Sequence, residues 1–239
     1  MAFRFRVIPF VATVGLVVLG VLLGNWQTRR AEEKLSIAAR LVERGAIAPV
    51  VLGSGGGLPV DIEYRRVRVT GEWVAAWPLF LDNRPLNGRA GFILAMPFKI
   101  AGANQNVLVL RGWLPRDARE YGKLPEFATP AGPTTIEGVA TLSAGHVMQL
   151  GTPGALKPGA LVQNLTVDEV ASASGLALLP FFVQQSGAGQ GDGLVRDWPA
   201  PATGVDKHRG YAFQWYALAL MAALFFVITG FRSGRKQGG

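Results

Sequence analysis

The sequence predicts a membrane protein in which two transmembrane α-helices, one N-terminal and one C-terminal, enclose a β-rich antiparallel sheet or barrel domain with one or two short helices. Two uncharged apolar runs, at residues 7–24 and 211–231, predict the helices. Short apolar or alternating runs bounded by turn residues lie between them. The 239 residues include 31 Gly and 15 Pro, well above the usual combined share of about 12%. This excess favours many turns between short strands over a long helical bundle.

The first apolar run, Val7–Gly24, is long enough to cross a bilayer. At 1.5 Å per residue it extends for about 27 Å, close to the hydrocarbon thickness of about 30 Å. A cleavable signal peptide is the alternative interpretation. The run is longer than the usual apolar core of such peptides, about 7–15 residues, and Asn25, Trp26 and Gln27 follow it instead of a small-x-small cleavage site. An uncleaved anchor is therefore favoured.

Aromatic residues flank both runs on the side that faces the middle of the chain. Trp26 follows the first run, and Tyr211, Trp215 and Tyr216 begin the second. Trp and Tyr concentrate at the membrane–water interface, so the middle of the chain lies on one side of the membrane. We expect a tail and first membrane helix at 1–24, a β-rich domain at 25–210 whose residues 25–44 extend the helix, and the second membrane helix and tail at 211–239.

The distribution of charge predicts the orientation. All 16 acidic residues lie between positions 25 and 210, whereas five of the 24 basic residues lie in the two short tails. Basic tails without acidic residues are typical of cytoplasmic ends that contact anionic lipid. We therefore expect both termini in the cytoplasm and the main domain in the periplasm, with membrane lipid as a partner. Because much of the net charge of +8 belongs to the tails, it does not imply a nucleic acid partner.

The domain is predicted to begin with a helix that continues the anchor, because Leu35, Ala38 and Val42 form a helical stripe that Gly45 ends. The glycine-rich segment 50–60 is predicted to be a flexible linker. A phosphate cradle would require a following Lys-Ser/Thr pair, which this segment lacks.

Six runs predict strands, and one segment between two of them predicts a short helix. In the first run, Arg66, Arg68 and Thr70 alternate with Val67 and Val69, which is the pattern of a strand with one solvated face. The predicted strands are 63–74, 77–82, 91–100, 106–114, 134–142 and 178–185. The helix is predicted at 166–175, with Thr166 as N-cap, Glu169 completing a capping box and Gly175 as the stop.

The composition excludes several kinds of chemistry. Without cysteine, the chain has no disulfide, thiolate zinc site, iron–sulfur cluster, catalytic thiol or covalently attached c-type haem. Two histidines cannot form a three-histidine metal site. The sequence contains neither a Gly-x-Ser-x-Gly nor a His-Glu-x-x-His motif, and its acidic residues are scattered. A membrane-tethered periplasmic enzyme is therefore disfavoured.

The two histidines differ in context. His146 and Met148 would share a face if they lay in a strand, and a copper site could be imagined from them. Two ligands do not complete a coordination sphere, so a histidine in a loop or at a barrel edge is the favoured interpretation. His208, in contrast, lies three residues before the second apolar run.

One face of the second membrane helix carries His208, Tyr211 and Trp215, spaced i, i+3, i+7. Simple anchoring at the interface is one interpretation. The other is that the imidazole is the axial ligand of a haem at the membrane surface, with its propionates near Lys207 and Arg209.

A second polar stripe lies just outside the first span, where Gln27, Arg30 and Lys34 are also spaced i, i+3, i+7. This stripe could face the same ligand or a partner. Snorkelling of basic side chains at a helix end explains it equally well without a function.

Six motifs in this order resemble the surfeit locus protein 1 family of membrane-anchored cytochrome c oxidase assembly factors. Together they extend over nearly the whole chain and are framed by the two predicted spans. They are GNWQTRRAEEK at 24–34, YRRVRVTGEW at 64–73, RAGFILAMPF at 89–98, VLVLRGWLP at 107–115, IEGVATL at 136–142 and HRGYAFQW at 208–215.

The resemblance implies a function without turnover chemistry. Bacterial members are implicated in binding haem a and in its insertion into oxidase subunit I, with the histidine of a His-x-x-Tyr motif as the proposed ligand. Here that histidine is His208. The resemblance implies the bacterial plasma membrane as location, cytochrome c oxidase subunit I as partner and haem a synthase as a further partner. A cofactor-free scaffold that stabilises a subunit I intermediate is the alternative.

The haem a site expected from the resemblance and the two stripes has His208 as the axial ligand of the iron. Tyr211 and Trp215 would form its wall. Arg209 and Arg30 would pair with the propionates. Gln27 and Trp26 complete the predicted site.

Overall fold

A computed structural model describes residues 3–53, 57, 59–117, 123–149, 151, 154–187, 191–198 and 204–235. The chain forms two compact units. One comprises residues 1–40 and 200–239, and the other comprises residues 41–199.

Three helices are present in the described residues: α1 (Val7–Ala46), α2 (Val167–Ser174) and α3 (Val205–Arg235). Both α1 and α3 are long and apolar enough to cross a membrane. Helix α1 continues without interruption from the apolar run into the charged segment that follows it. The predicted fold class, two candidate membrane helices around a β-rich domain, is confirmed.

Of the eight strands in the described part of the chain, five close into a barrel, because each is hydrogen-bonded to two others in the order β2-β6-β8-β5-β4-β2. Strand β1 extends the sheet beside β2, while β3 and β7 extend it beside β4. The strands are β1 (Val50–Leu52), β2 (Arg66–Trp73), β3 (Leu79–Leu81), β4 (Gly91–Ile100), β5 (Asn106–Pro115), β6 (Thr134–Thr141), β7 (Leu161–Val162) and β8 (Leu178–Gln185).

Most pairs in this sheet are antiparallel, but β1–β2, β3–β7 and β5–β8 are parallel. Alternation of side chains has the same period in both kinds of pair, so the sequence pattern does not distinguish them. Both β4 and β5 are buried along nearly their whole length, as expected for central strands of a closed barrel.

The predicted alternation in β2 is confirmed. Val67 and Val69 are buried in the barrel core, while Arg66, Arg68 and Thr70 face solvent. Burial of the apolar face thus sets the register of β2, since a slip of one residue would bring arginines into the core.

The predicted capping box of α2 is also confirmed. The Thr166 side chain accepts a hydrogen bond from the Glu169 backbone N–H, the Glu169 carboxylate accepts one from the Thr166 backbone N–H, and Gly175 ends the helix at φ 70°. These bonds satisfy backbone donors that a helix start leaves without partners.

Two strands were not predicted. Residues 50–52, assigned to the flexible linker, instead form β1, which is parallel to β2 with Val50 opposite Val67. Ladder hydrogen bonds to β2 thus override the local glycine-rich composition. Residues 54–56 and 58 of the predicted linker lie outside the described residues. Strand β7 is too short for an alternating pattern.

Candidate functional site

Within the first unit, α1 and α3 pack closely along a stripe of small residues. Gly20 and Gly24 are buried on α1, and Ala212 and Ala219 are buried on α3. A Cβ atom on Gly20 would lie 2.9 Å from the carbonyl oxygen of Trp215. Glycine is therefore required for this approach, which lets the two backbones come close together. The Gly-x-x-x-Gly spacing in GVLLG was the sequence signal for this contact, and sequence analysis missed it.

Gly24 lies directly against the ring of Tyr216, because an added Cβ would be 2.5 Å from that ring. The Tyr216 hydroxyl donates a hydrogen bond of 2.7 Å to Asn25 Oδ1. The ring and its hydroxyl thus hold α3 against α1 at two adjacent residues. This contact lies next to the segment of α1 that carries Gln27.

We expect Gly24→Leu to separate the two helices, because the new side chain and the Tyr216 ring cannot occupy the same space. The measurement is the distance between spin labels on cysteines introduced at Val18 and Leu220, two exposed positions of this cysteine-free chain. The distance distribution should lengthen or broaden. Gly15→Leu is the matched control, since no atom lies within 4 Å of a Cβ there. An unchanged distribution in Gly24→Leu would contradict the packing.

The same helix contact brings His208 and Gln27 together. His208 Nδ1 lies 2.7 Å from Gln27 Oε1, and Gln27 is buried, with 9% of its surface exposed. An amide oxygen only accepts hydrogen bonds, so the Nδ1 atom carries the proton. In the neutral imidazole the lone pair is then on Nε2, the arrangement in which histidine binds a metal while its other nitrogen is held by an acceptor.

The other residues of the site predicted on α3, and Trp26 on α1, differ in exposure. Trp215 is half-buried, two helical turns beyond His208, whereas Tyr211 and Arg209 are exposed. His208, Tyr211 and Trp215 thus lie on one helix, α3, and the central residue, Tyr211, is 53% exposed. Trp26 is 51% exposed.

The polar stripe of α1, formed by Gln27, Arg30 and Lys34, is only partly directed at His208. Arg30 donates a hydrogen bond of 2.7 Å to the Glu33 carboxylate on its own helix. Of the three residues in the stripe, the structure joins Gln27 to His208 and pairs Arg30 elsewhere. The ammonium group of Lys34 lies beside the backbone of Gly204, where α3 is about to begin.

An apolar groove of about 600 Å³ runs along the two helices and begins at Trp215. Its walls include Leu16, Leu19, Met221 and Phe225. A groove of this size falls within the range of about 300–1,000 Å³ typical of small-molecule sites. Trp215 thus connects the helix face that carries His208 with an apolar surface that could accept the hydrophobic part of a ligand.

The described residues contain no group of three or more His, Cys, Asp and Glu side chains that could hold a metal ion. His146 and Met148 lie in an irregular segment and are both exposed. The strand that would give them a shared face is therefore not formed.

The barrel contains a second polar cluster, which sequence analysis did not identify as a site. The Arg111 side chain is 1% exposed and lies 3.7 Å from Asp192, whose carboxylate also accepts hydrogen bonds from Arg196. The Arg111 guanidinium stacks over the Trp73 ring at 4.4 Å and donates to the Thr129 hydroxyl at 2.8 Å. Burial lowers the pKa of Arg111 to about 10, although the Asp192 charge opposes that shift.

Asp192 is held as a carboxylate. Burial raises its pKa, but the hydrogen bond from Arg196, the backbone N–H of Leu194 and the charges of Arg196 and Arg111 outweigh burial, and the net pKa is lowered. A carboxyl group with a lowered pKa stabilises the fold above the pKa of the unfolded chain, about 3.9. That contribution is lost as pH falls through the lower folded-state value.

We expect the free energy of unfolding of the detergent-solubilised chain to fall below about pH 4, with Asp192 contributing up to about 1.4 kcal/mol per pH unit. Denaturant titrations between pH 2 and pH 6, followed by far-UV circular dichroism, measure this slope. Asp192→Asn should show a shallower slope. The control is Asp168→Asn, which removes a carboxylate of α2 outside the cluster, and the change in slope should be larger in Asp192→Asn. Equal slopes in all three proteins would contradict the assignment.

Comparisons with known proteins identify similar chains. The model of the SURF1 family matches residues 14–220. The cytochrome oxidase assembly protein SHY1 of Saccharomyces cerevisiae is 30% identical over 99 residues, which are 41% of this chain and 25% of the yeast protein. A SURF1-like protein of Monosiga brevicollis is 23% identical over an alignment 240 residues long, which covers 95% of this chain and 88% of that protein. The match therefore spans a quarter of the yeast relative and most of the other.

Proposed function

Because this chain belongs to the SURF1 family, we propose that it is an assembly factor for cytochrome c oxidase and has no turnover chemistry of its own. The name of the yeast relative, a cytochrome oxidase assembly protein, supports this role. Both apolar helices support a position in the membrane. We place the protein in the bacterial plasma membrane, with a periplasmic barrel and cytoplasmic termini, where it can meet oxidase subunit I and haem a synthase.

Within this role, the cargo that the helix pair suits best is haem a. The observation that carries the proposal is the hydrogen bond of 2.7 Å between His208 Nδ1 and Gln27 Oε1. It orients the imidazole and leaves the Nε2 lone pair available as an axial ligand of iron. Holding haem by one protein ligand would suit release to subunit I, because few bonds would have to break.

The surroundings of His208 fit the remaining parts of the cargo. Trp215 and the apolar groove provide a surface for the macrocycle and its hydrophobic substituent. Lys207 and Arg209, both exposed beside His208, provide cations for the propionates. Arg30 already pairs with Glu33, so Arg209 is the stronger candidate for this contact.

The test is a visible absorption spectrum of the full-length protein, purified in detergent from cells that synthesise haem a. Haem a bands at a stoichiometry approaching one per chain are expected. A parallel crosslinking experiment asks whether the protein contacts subunit I. Protein that lacks haem but still crosslinks to subunit I would overturn the haem proposal in favour of a cofactor-free scaffold. Protein that neither binds haem nor crosslinks to subunit I would contradict both proposals.

A further inference from the structure

The apolar groove of α1 and α3 begins in line with His208. On α3, His208, Trp215 and Ala222 follow one another at intervals of seven residues, close to two helical turns, so they lie nearly in line along the helix. Trp215 and Ala222 both line the groove. Trp215 is about 10 Å along the axis from His208, a distance comparable with the width of a haem macrocycle. A macrocycle that His208 holds, extended towards Trp215, would therefore have its edge at the start of the groove.

The dimensions of the groove suit one extended hydrocarbon chain. Its lining on α3 runs from Trp215 to Ile228, about 20 Å along the helix axis. Its volume is about 600 Å³. Two lining residues, Gly20 and Ala222, are small, and longer leucine, methionine and phenylalanine side chains complete the lining. The small residues thus leave space that the longer side chains border.

The lining of the groove is almost entirely hydrocarbon. Among the described residues that form it, the indole N–H of Trp215 is the one side-chain hydrogen-bond donor. Haem a carries two substituents that haem b lacks, a hydroxyethylfarnesyl chain and a formyl group, whereas haem o carries the chain without the formyl group. Beyond Trp215, this lining has the chemistry to bind the chain but no side-chain donor for a formyl oxygen.

Membrane lipids compete for this apolar surface. Their acyl chains are as apolar as the groove, so hydrophobicity alone does not favour a prenyl chain over lipid. A chain joined covalently to a haem that His208 holds differs from free lipid, because its contact with the groove is intramolecular and benefits from a high effective concentration. The covalent link therefore favours the chain of the cargo itself as the occupant.

We propose, on the basis of the proposed haem function, that the groove binds the farnesyl chain of the haem and that this chain, not the formyl group, determines which haem the protein accepts. The ligand class is farnesylated haem, so haem o should bind as well as haem a. Trp215 would contact the edge of the macrocycle, and Ala222 would leave the space that the chain fills. These two residues would determine specificity, whereas His208 holds the iron of any haem.

The test is a titration of the full-length apoprotein in detergent with haem a, haem o and haem b, followed by visible absorption. His208→Ala is titrated in parallel, so that haem dissolved in the micelle is subtracted. Affinities for haem a and haem o should agree within about threefold, and haem b should bind at least tenfold more weakly. Equal affinity for haem b would overturn the groove proposal alone, and weak binding of haem o would do the same in favour of formyl recognition. If none of the three haems bound, the proposed haem function would fail as well.

Variants of the groove separate binding of the chain from its partition into detergent. Ala222→Phe fills the groove, so affinity for haem a and haem o should fall at least fivefold while affinity for haem b stays the same. Met221→Gln places an amide on the groove wall, at a position 59% exposed, and should have the same selective effect. Ala12→Phe is the matched control, because it adds the same ring at an exposed position of α1 outside the lining.

The selectivity between haems decides the outcome, because all proteins are compared in one detergent. If both groove variants kept the original ratio of haem a to haem b affinity, the groove would hold lipid or a partner helix instead, and the proposal would be overturned. The same ratio change in Ala12→Phe as in Ala222→Phe would also overturn it.

Discussion

Replacing His208 by alanine is expected to lower the haem a content of the purified protein at least tenfold. The substitution removes the only imidazole of the helix pair, and with it the Nε2 lone pair that would ligate the iron. The measurement is the haem absorption per chain of protein purified from cells that synthesise haem a. His146→Ala is the matched control, because it removes the exposed histidine of the barrel unit. Unchanged haem content in His208→Ala would rule out the site.

The Gln27 variants separate ligation from positioning. Gln27→Leu removes the acceptor of the Nδ1 proton but keeps Nε2, and loss of such a partner typically costs about 10–100-fold in metal affinity. Gln27→Glu keeps an oxygen acceptor and should retain most of the affinity. A titration of the apoprotein with haem provides both affinities. If Gln27→Leu bound haem as tightly as the original protein, the hydrogen bond would have no part in presenting His208.

Gly71→Ala is expected to destabilise the barrel by about 3 kcal/mol, at the upper end of the usual cost of overpacking. Gly71 lies in β2 opposite Ile100, where β2 pairs with β4 and closes the barrel. An added Cβ would overlap the carbonyl oxygen of Lys99. Because the obstacle is backbone rather than a flexible side chain, the strands can accept the methyl group only by moving apart.

Denaturant unfolding of the full-length protein in detergent, followed by far-UV circular dichroism, measures the effect of Gly71→Ala. Gly154→Ala is the matched control, because no atom lies within 4 Å of a Cβ there and its φ is not in the left-handed region. The control should change the free energy of unfolding by less than about 0.5 kcal/mol. Similar effects of the two substitutions would show that closure at β2–β4 does not require glycine.

Features that depend on residues close in the chain could be predicted. The two apolar runs, the alternation in β2 and the capping box at Thr166 each follow from the identity of neighbouring residues. Strand β1 could not be predicted in this way. It forms by pairing with β2, which begins fourteen residues after β1 ends, and the glycine-rich composition around β1 favours a loop. The Gly20-x-x-x-Gly24 spacing is visible in the sequence. Because the residues around it are all apolar, however, the sequence does not show which face of α1 packs against α3.

The amino-acid sequence by itself determined the two membrane-length helices, the strand-rich region between them and the presence of a histidine at the start of the second helix. Only the tertiary structure decided that Gln27 holds that histidine, that Arg30 pairs with Glu33 instead, and that Arg111, Asp192 and Arg196 surround one cavity. The physical reason is the separation along the chain of the residues that interact. The periodic spacing of apolar residues and helix capping involve residues a few positions apart. These contacts instead join side chains whose distance in space depends on how whole helices and strands pack.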